Sequence, residues 1–144
     1  MNLMFATLLL QTAFYTFVGA GSSVSTFGSN FGTFHGGAGG EYTARNGLGA
    51  GAEFGYVAPR SNASNGVALL SLNGLYRFTQ GRTEPFLTGG YSLGFRSRAA
   101  SFGNIGGGVT YWARENLGIR FELRDNIRDP ATHWVIARFG VAFR

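Results

Sequence analysis

From Leu117 to Arg124 every second residue is apolar: Leu117, Ile119, Phe121 and Leu123 alternate with Gly118, Arg120, Glu122 and Arg124. Side chains two apart on a strand share a face, so this stretch has one apolar face and one charged face. A 3.6-residue period would mix the two sets within two turns, which excludes an amphipathic helix. The segment before it repeats the design, with Ile105, Val109 and Tyr111 on one parity and Asn104, Gly106, Gly108, Thr110 and Trp112 on the other. The short polar link Arg114-Glu115-Asn116 joins the two arms as an antiparallel hairpin.

The same pattern runs along most of the chain. Ala13 to Ser22 reads as a strand with aromatics on both parities, so its faces stay unassigned, and Gly21 to Ser29 reads as a loop. Phe31 to Thr43 sets Phe34, Ala38 and Tyr42 against His35, Gly37, Gly39 and Glu41. Asn46-Gly47 then fits a type I′ turn, which needs positive φ at both central residues. Gly47 to Val57 sets Leu48, Ala50, Ala52, Phe54 and Tyr56 against Gly49, Gly51, Glu53 and Gly55. After a polar loop from Ala58 to Asn65, Gly66 to Thr79 sets Ala68, Leu70, Leu72, Tyr76 and Phe78 against Ser71, Asn73 and Arg77. Thr83 to Arg96 sets Leu87, Tyr91, Leu93 and Phe95 against Thr88, Ser92 and Arg96. Last, His133 to Arg144 sets Val135, Ala137, Phe139, Val141 and Phe143 against Trp134, Arg138 and Gly140, after a loop DNIRDPATH.

Eight strands result. Their links near Arg45, Gln80 and Glu115 are tight, and those near Ser25, Ser61, Ser97 and Arg128 are mostly longer and more polar. This predicts an all-β fold, an eight-stranded antiparallel up-and-down barrel with both ends at the tight-turn side. At 144 residues the chain is one domain. The barrel is expected over 13–144. Residues 1–12, with an apolar run from Leu3 to Leu10 but no basic residue before it, read as a lead segment or a signal-peptide remnant.

Composition decides which face points inward. All twelve basic residues are Arg, with no Lys, unlike the mixed Lys and Glu surface of a soluble domain. No apolar run reaches the roughly 18 residues of a transmembrane helix, so a membrane would have to be crossed by strands. The charged parity is also the glycine-rich one, and an eight-stranded barrel has room inside for side chains only if some positions are small. The apolar parity carries no charge along six strands, and Tyr42, Tyr56, Tyr76 and Tyr111 fall toward strand ends like an interfacial girdle. The barrel is therefore read as transmembrane. Its lipid face would comprise Leu48, Phe54, Leu70, Leu72, Leu87, Tyr91, Leu93, Ile105, Val109, Tyr111, Leu117, Ile119, Phe121, Leu123, Val135, Phe139, Val141 and Phe143. Inside, Glu41, Glu53 and Glu122 would pair with Arg77, Arg96, Arg120, Arg124 and Arg138, because unpaired buried charge costs several kcal/mol, with the excess Arg calling for water or loop partners.

GLYRFT (74–79), EPFLTGGYSLGF (84–95), FGNIGGGVTYWARENLGIRFELRD (102–125) and the ending RFGVAFR carry a resemblance. From about Phe14 to Arg144 the chain resembles the bacterial outer-membrane β-barrel domain family of small OmpA- and OmpX-type barrels. The resemblance implies residence in the bacterial outer membrane as a monomer, contact with outer-membrane lipid and lipopolysaccharide, and insertion by the barrel-assembly machinery. Such barrels usually end on an aromatic residue, whereas here Phe143 is penultimate and Arg144 last.

Chemical motifs are sparse. His35 and His133 sit on different strands without a local catalytic signature, although some barrels of this membrane are lipid A-modifying enzymes that use His with Ser or Glu. Two histidines and no cysteine make a poor metal site, and no cofactor is expected. Glycines spaced by two mark one face of a sheet and open no helix, so a dinucleotide loop is excluded. A net charge of +5 with interleaved aromatics is compatible with RNA, but most strand arginines share the glycine-rich parity, so no nucleic-acid partner is expected. Arg60, Arg98 and Arg128 in loops are candidates for lipopolysaccharide phosphates. The function expected is therefore that of a non-enzymatic outer-membrane barrel with a structural, adhesive or loop-mediated binding role. The alternatives are a lipid A-modifying enzyme and a soluble barrel carrying an apolar ligand.

Overall fold

The computed structural model describes residues 11–26 and 30–144. The expected lead segment lies outside the described residues except for Gln11 and Thr12, which begin the first strand, and residues 27–29 of the first loop lie outside them too. Among the described residues the strands are β1 (Gln11–Ser25), β2 (Phe31–Thr43), β3 (Leu48–Pro59), β4 (Val67–Arg77), β5 (Thr83–Phe95), β6 (Ala99–Arg114), β7 (Leu117–Asp129) and β8 (Thr132–Phe143), with a 3-10 turn at Ala63–Asn65. Every neighbour in sequence pairs antiparallel, and β1 pairs with β8 to close the barrel, with Phe17 opposite Gly140 and Val18 opposite Phe139. Closure leaves no free edge, the condition for a sheet to sit in lipid.

β1 has 15 residues and β6 has 16, beyond the roughly 9–11 that a tilted strand needs to cross a bilayer. The wall therefore rises past the apolar band. The lower rim carries Gln11, Arg144 and the turns after Thr43, Arg77 and Arg114; the upper rim carries the links after Ser25, Pro59, Phe95 and Asp129.

Three local expectations are corrected. The stretch expected as a loop from Gly21 is strand as far as Ser25, with Gly21 opposite Thr33 on β2 and Ser23 opposite Trp134 on β8. The polar stretch DNIRDPATH is mostly strand, not loop: β7 continues to Asp129, Asn126 pairs with Trp134 and Ile127 with His133, and a register shift lies between Ile127 and Asp129. Only Pro130 and Ala131 remain between the strands, with Asp129 Oδ1 accepting from the Ala131 amide at 2.9 Å. At Asn46-Gly47 the turn is not type I′, because Gly47 has φ +89° while no described non-glycine residue has positive φ. Ala44 N donates to Leu48 O (2.8 Å) and Gly47 N to Ala44 O (3.0 Å), a three-residue hairpin loop whose last residue is left-handed.

The two faces separate sharply. Phe121 is 43% exposed and its neighbour Glu122 is 1% exposed. β1, unassigned from sequence, puts Ala13, Tyr15 and Phe17 inside and Phe14 and Val18 outside. The inward glycines make room for these rings: a Cβ at Gly39 would lie 2.7 Å from the Tyr15 ring, and one at Gly118 would lie 2.9 Å from Trp112. The lumen is thus filled, with Tyr15, Phe17 and Trp112 clustered in one layer and Val57, Leu69, Phe102 and Ile136 in another.

Candidate functional site

Two arrangements stand out: a ladder of charges in the lumen and a basic upper rim. The ladder alternates in sign. Arg144 at the lower rim reaches Glu84 at 3.3 Å, Glu84 pairs with Arg77, and Arg77 with Glu41. Glu41 pairs with Arg120 at 2.9 Å, Arg120 with Glu122 at 3.5 Å, and Glu122 with Arg124 at 2.6 Å. Arg124 meets Glu53 at 2.9 Å. Glu53 also binds Arg138 through both oxygens, each at 2.8 Å, and accepts from the Tyr15 hydroxyl at 2.8 Å. Aromatic faces brace the cations. Arg120 lies 4.2 Å from the Tyr15 ring centre and 4.0 Å from that of Phe86, and Arg138 lies 3.6 Å from that of Phe17.

Glu84 is the member that sequence reasoning missed. With it, Glu41, Glu53, Glu84 and Glu122 face Arg77, Arg120, Arg124 and Arg138, and all eight are buried. The buried charges therefore balance four against four, and the expected surplus of interior arginine is absent. Its signal was available, since Glu84 shares the inward parity of Phe86, Thr88 and Ser92. Each buried arginine has a carboxylate partner in the lumen, while the Nε donors of Arg120 and Arg138 have none.

Arg96 is the other correction. It keeps the inward parity of β5 but lies beyond its end at the upper rim, exposed, donating to Asn65 through Nη1 to the main-chain oxygen (3.2 Å) and Nη2 to Oδ1 (2.8 Å). The remaining interior candidates, Glu41, Glu53, Arg77, Arg120, Glu122, Arg124 and Arg138, all lie in the lumen. The eighteen residues assigned to lipid all occupy the outward parity; Leu93, Val109 and Leu117 are half-buried by neighbours and the others are exposed.

At the upper rim, Arg60 sets its guanidinium 5.1 Å from the centre of the Phe34 ring on the outer wall, and Arg98 and Arg128 are exposed. His133 hydrogen bonds Asp125 at 2.7 Å. His35 is buried in the lumen, edge-on to Phe17 at 4.8 Å, with neither ring nitrogen partnered. No group of three or more His, Asp or Glu among the described residues is arranged to hold a metal ion.

No family model matches the chain, and no curated protein matches it. Solved structures do. Neisserial surface protein A is 15% identical with a TM-score of 0.78, covering 93% of this chain and 97% of that one. The N-terminal β-barrel domain of Pseudomonas aeruginosa OprF is 18% identical with a TM-score of 0.70, covering 92% and 96%. Ail, the attachment invasion locus protein of Yersinia pestis, is 10% identical with a TM-score of 0.58, covering 93% and 97%. Closed topology, an exposed apolar wall and these matches together make the chain a membrane-spanning barrel with the fold of the small eight-stranded outer-membrane proteins.

Proposed function

We propose that this protein is a non-enzymatic resident of the bacterial outer membrane, set among its lipid and lipopolysaccharide, that binds polyanionic partners with its upper rim in an adhesive role. The observation that carries this is a set of four exposed arginines on the links of the upper rim. With the eight ladder charges cancelling, the outer surface keeps eight arginines against Glu115, Asp125 and Asp129. Arg60, Arg96, Arg98 and Arg128 are at the upper rim with Asp125, which is engaged by His133, and Asp129, while Arg45, Arg82, Arg114 and Arg144 are at the lower rim with Glu115, so both rims are basic and the upper one is the rim built from the longer links. Exposed guanidinium groups suit sulfate and phosphate through charge-assisted hydrogen bonds. One similar structure, that of Ail, was obtained in complex with the heparin analogue sucrose octasulfate.

The test is chromatography of the detergent-solubilised barrel on immobilised heparin. The wild type should be retained at low salt and released as salt rises, and a variant with Arg60, Arg96, Arg98 and Arg128 all changed to Gln should be released at clearly lower salt, while one with Arg45, Arg82 and Arg114 changed to Gln should elute near the wild type. Flow-through of the wild type at low salt would overturn the reading.

A lipid A-modifying role needs a histidine beside a nucleophile. His35 is enclosed by the lumen with neither ring nitrogen partnered, and the partners of His133 are Asp125 and the Pro130 carbonyl, with no hydroxyl among them. Solute passage is disfavoured too, because the ladder and two apolar layers fill the bore. Planar-bilayer recordings should show silence or small irregular events; large stable steps would mean an open pore.

A further inference from the structure

Above the ladder, the lumen widens at the upper rim into a recess of about 340 Å³. We propose that this recess is a subsite for a single anionic sugar residue, a pyranose bearing a sulfate, phosphate or carboxylate. The proposal rests on the polyanion reading of the rim and gives it a specific contact.

Three features of the recess point to this ligand. Trp134, half-buried, lines it and is fixed by Phe102, whose ring lies 5.0 Å away at a tilt of 35°. With Val57 and Phe31 it gives the recess apolar lining of the kind that accepts the C–H face of a sugar ring. Arg96 supplies a cation already in position: two of its N–H groups are held by Asn65, and no acidic group among the described residues pairs with it. A guanidinium has five donors, so three remain for an oxyanion. Thr33, which also lines the recess, is 1% exposed and its hydroxyl has no hydrogen-bond partner. A buried hydroxyl without a partner is costly, and a sugar hydroxyl would satisfy it.

The combination discriminates between ligand classes. An apolar ligand would leave Arg96 and Thr33 unserved, and a bare inorganic anion would gain nothing from Trp134. Ligand sites of several hundred Å³ with an apolar wall and a few fixed polar groups are the ordinary form of small-molecule recognition. The recess is open at the rim, so a longer chain can run outward from it.

The experiment follows Trp134 emission in the detergent-solubilised barrel with Trp112 changed to Phe, which leaves Trp134 as the sole tryptophan of the two in the chain. The probes are a sulfated heparin disaccharide, glucose 6-phosphate, maltose and inorganic sulfate. The sulfated disaccharide, the sugar phosphate, or both should change the emission saturably, while maltose and inorganic sulfate should not at the same concentrations. Response to the disaccharide alone would identify a sulfated glycan as the source, and response to the phosphate alone a phosphorylated sugar such as those of lipopolysaccharide. Arg96→Gln should weaken the response by about tenfold, the loss expected when a charged hydrogen-bonding partner is removed. Arg45→Gln at the lower rim should leave it unchanged. Heat-modifiable gel mobility checks that each variant is folded, and calorimetric titration of Trp134→Ala provides a readout independent of fluorescence.

An unaltered response in Arg96→Gln, an equal response to inorganic sulfate, or no saturable response to any sugar anion would overturn the proposal. A wild type that is retained on heparin but blind to these probes would lose the recess and keep the rim. One that is not retained loses the reading on which the recess depends.

Discussion

Replacing Glu53 with Ala should destabilise the barrel in lipid vesicles by about 3–5 kcal/mol, the range for removing one partner of a buried ion pair. Glu53 Oε1 accepts from Arg124 at 2.9 Å and from Arg138 at 2.8 Å, and Oε2 accepts from Arg138 and the Tyr15 hydroxyl, each at 2.8 Å. Its loss leaves two buried guanidiniums to share Glu122, which is 2.6 Å from Arg124 but 3.9 Å from Arg138. The cost is mostly that of uncompensated charge, not of the lost attraction. It follows that Glu53→Ala combined with Arg138→Met should be less harmful than Glu53→Ala alone, a coupling that a double-mutant cycle reads directly. Glu115 in the β6–β7 turn is exposed, and Glu115→Gln should stay within about 0.5 kcal/mol of the wild type. Urea midpoints at constant slope, taken for these three variants and for Arg138→Met alone, give the cycle and the control. A Glu53→Ala midpoint indistinguishable from that of Glu115→Gln would mean that the lumen is hydrated enough to screen its charges.

The wall was legible in the sequence because its signal is local. In β7 the period of two places Ile119 and Phe121 on one face and Arg120 and Glu122 on the other without reference to any other strand. The ladder was only half legible, because its pairings cross the lumen. Glu53 and Arg138 are 85 residues apart, Glu41 and Arg120 are 79 apart, and neither partner choice exists until β1 closes on β8. Glu84 was missed although its parity is regular, since the apolar run that follows drew the reading toward Leu87 and Phe95. Arg96 was misplaced by the opposite error: parity is meaningful only while the strand lasts, and β5 ends at Phe95. β1 could not be assigned because Tyr15 and Phe17 are aromatic residues inside a lumen expected to be polar. They are there as plates for Arg120 and Arg138, a role that becomes visible only across the barrel. Polar composition likewise misled at the β7–β8 link, where Asn126 and His133 are paired strand residues above the apolar band.

Folding should require lipid or detergent in an all-or-none way. Phe14, Phe54, Leu72, Ile105, Leu123 and Phe139 are each more than half exposed on a continuous outer wall, far more contiguous apolar surface than a soluble monomer tolerates. Diluted from urea into plain buffer the chain should aggregate. Diluted into detergent or lipid it should yield a form whose gel mobility before heating differs from that of the boiled chain, as a closed sheet with no edge to fray would give. Because Arg at Phe121 would be harmful on a lipid face and in a soluble core alike, location has to be measured separately from stability. A nitroxide on a cysteine at Phe121 should be relaxed strongly by oxygen dissolved in the bilayer and weakly by a water-soluble relaxant. A cysteine at Thr110, on the adjoining strand and 1% exposed, should resist both an aqueous maleimide and a lipid-phase quencher until the barrel is unfolded. Cooperative refolding to a soluble monomer without amphiphile, or a Phe121 label that answers to the aqueous relaxant, would mean that the outward apolar wall does not face lipid, and the membrane reading would fall.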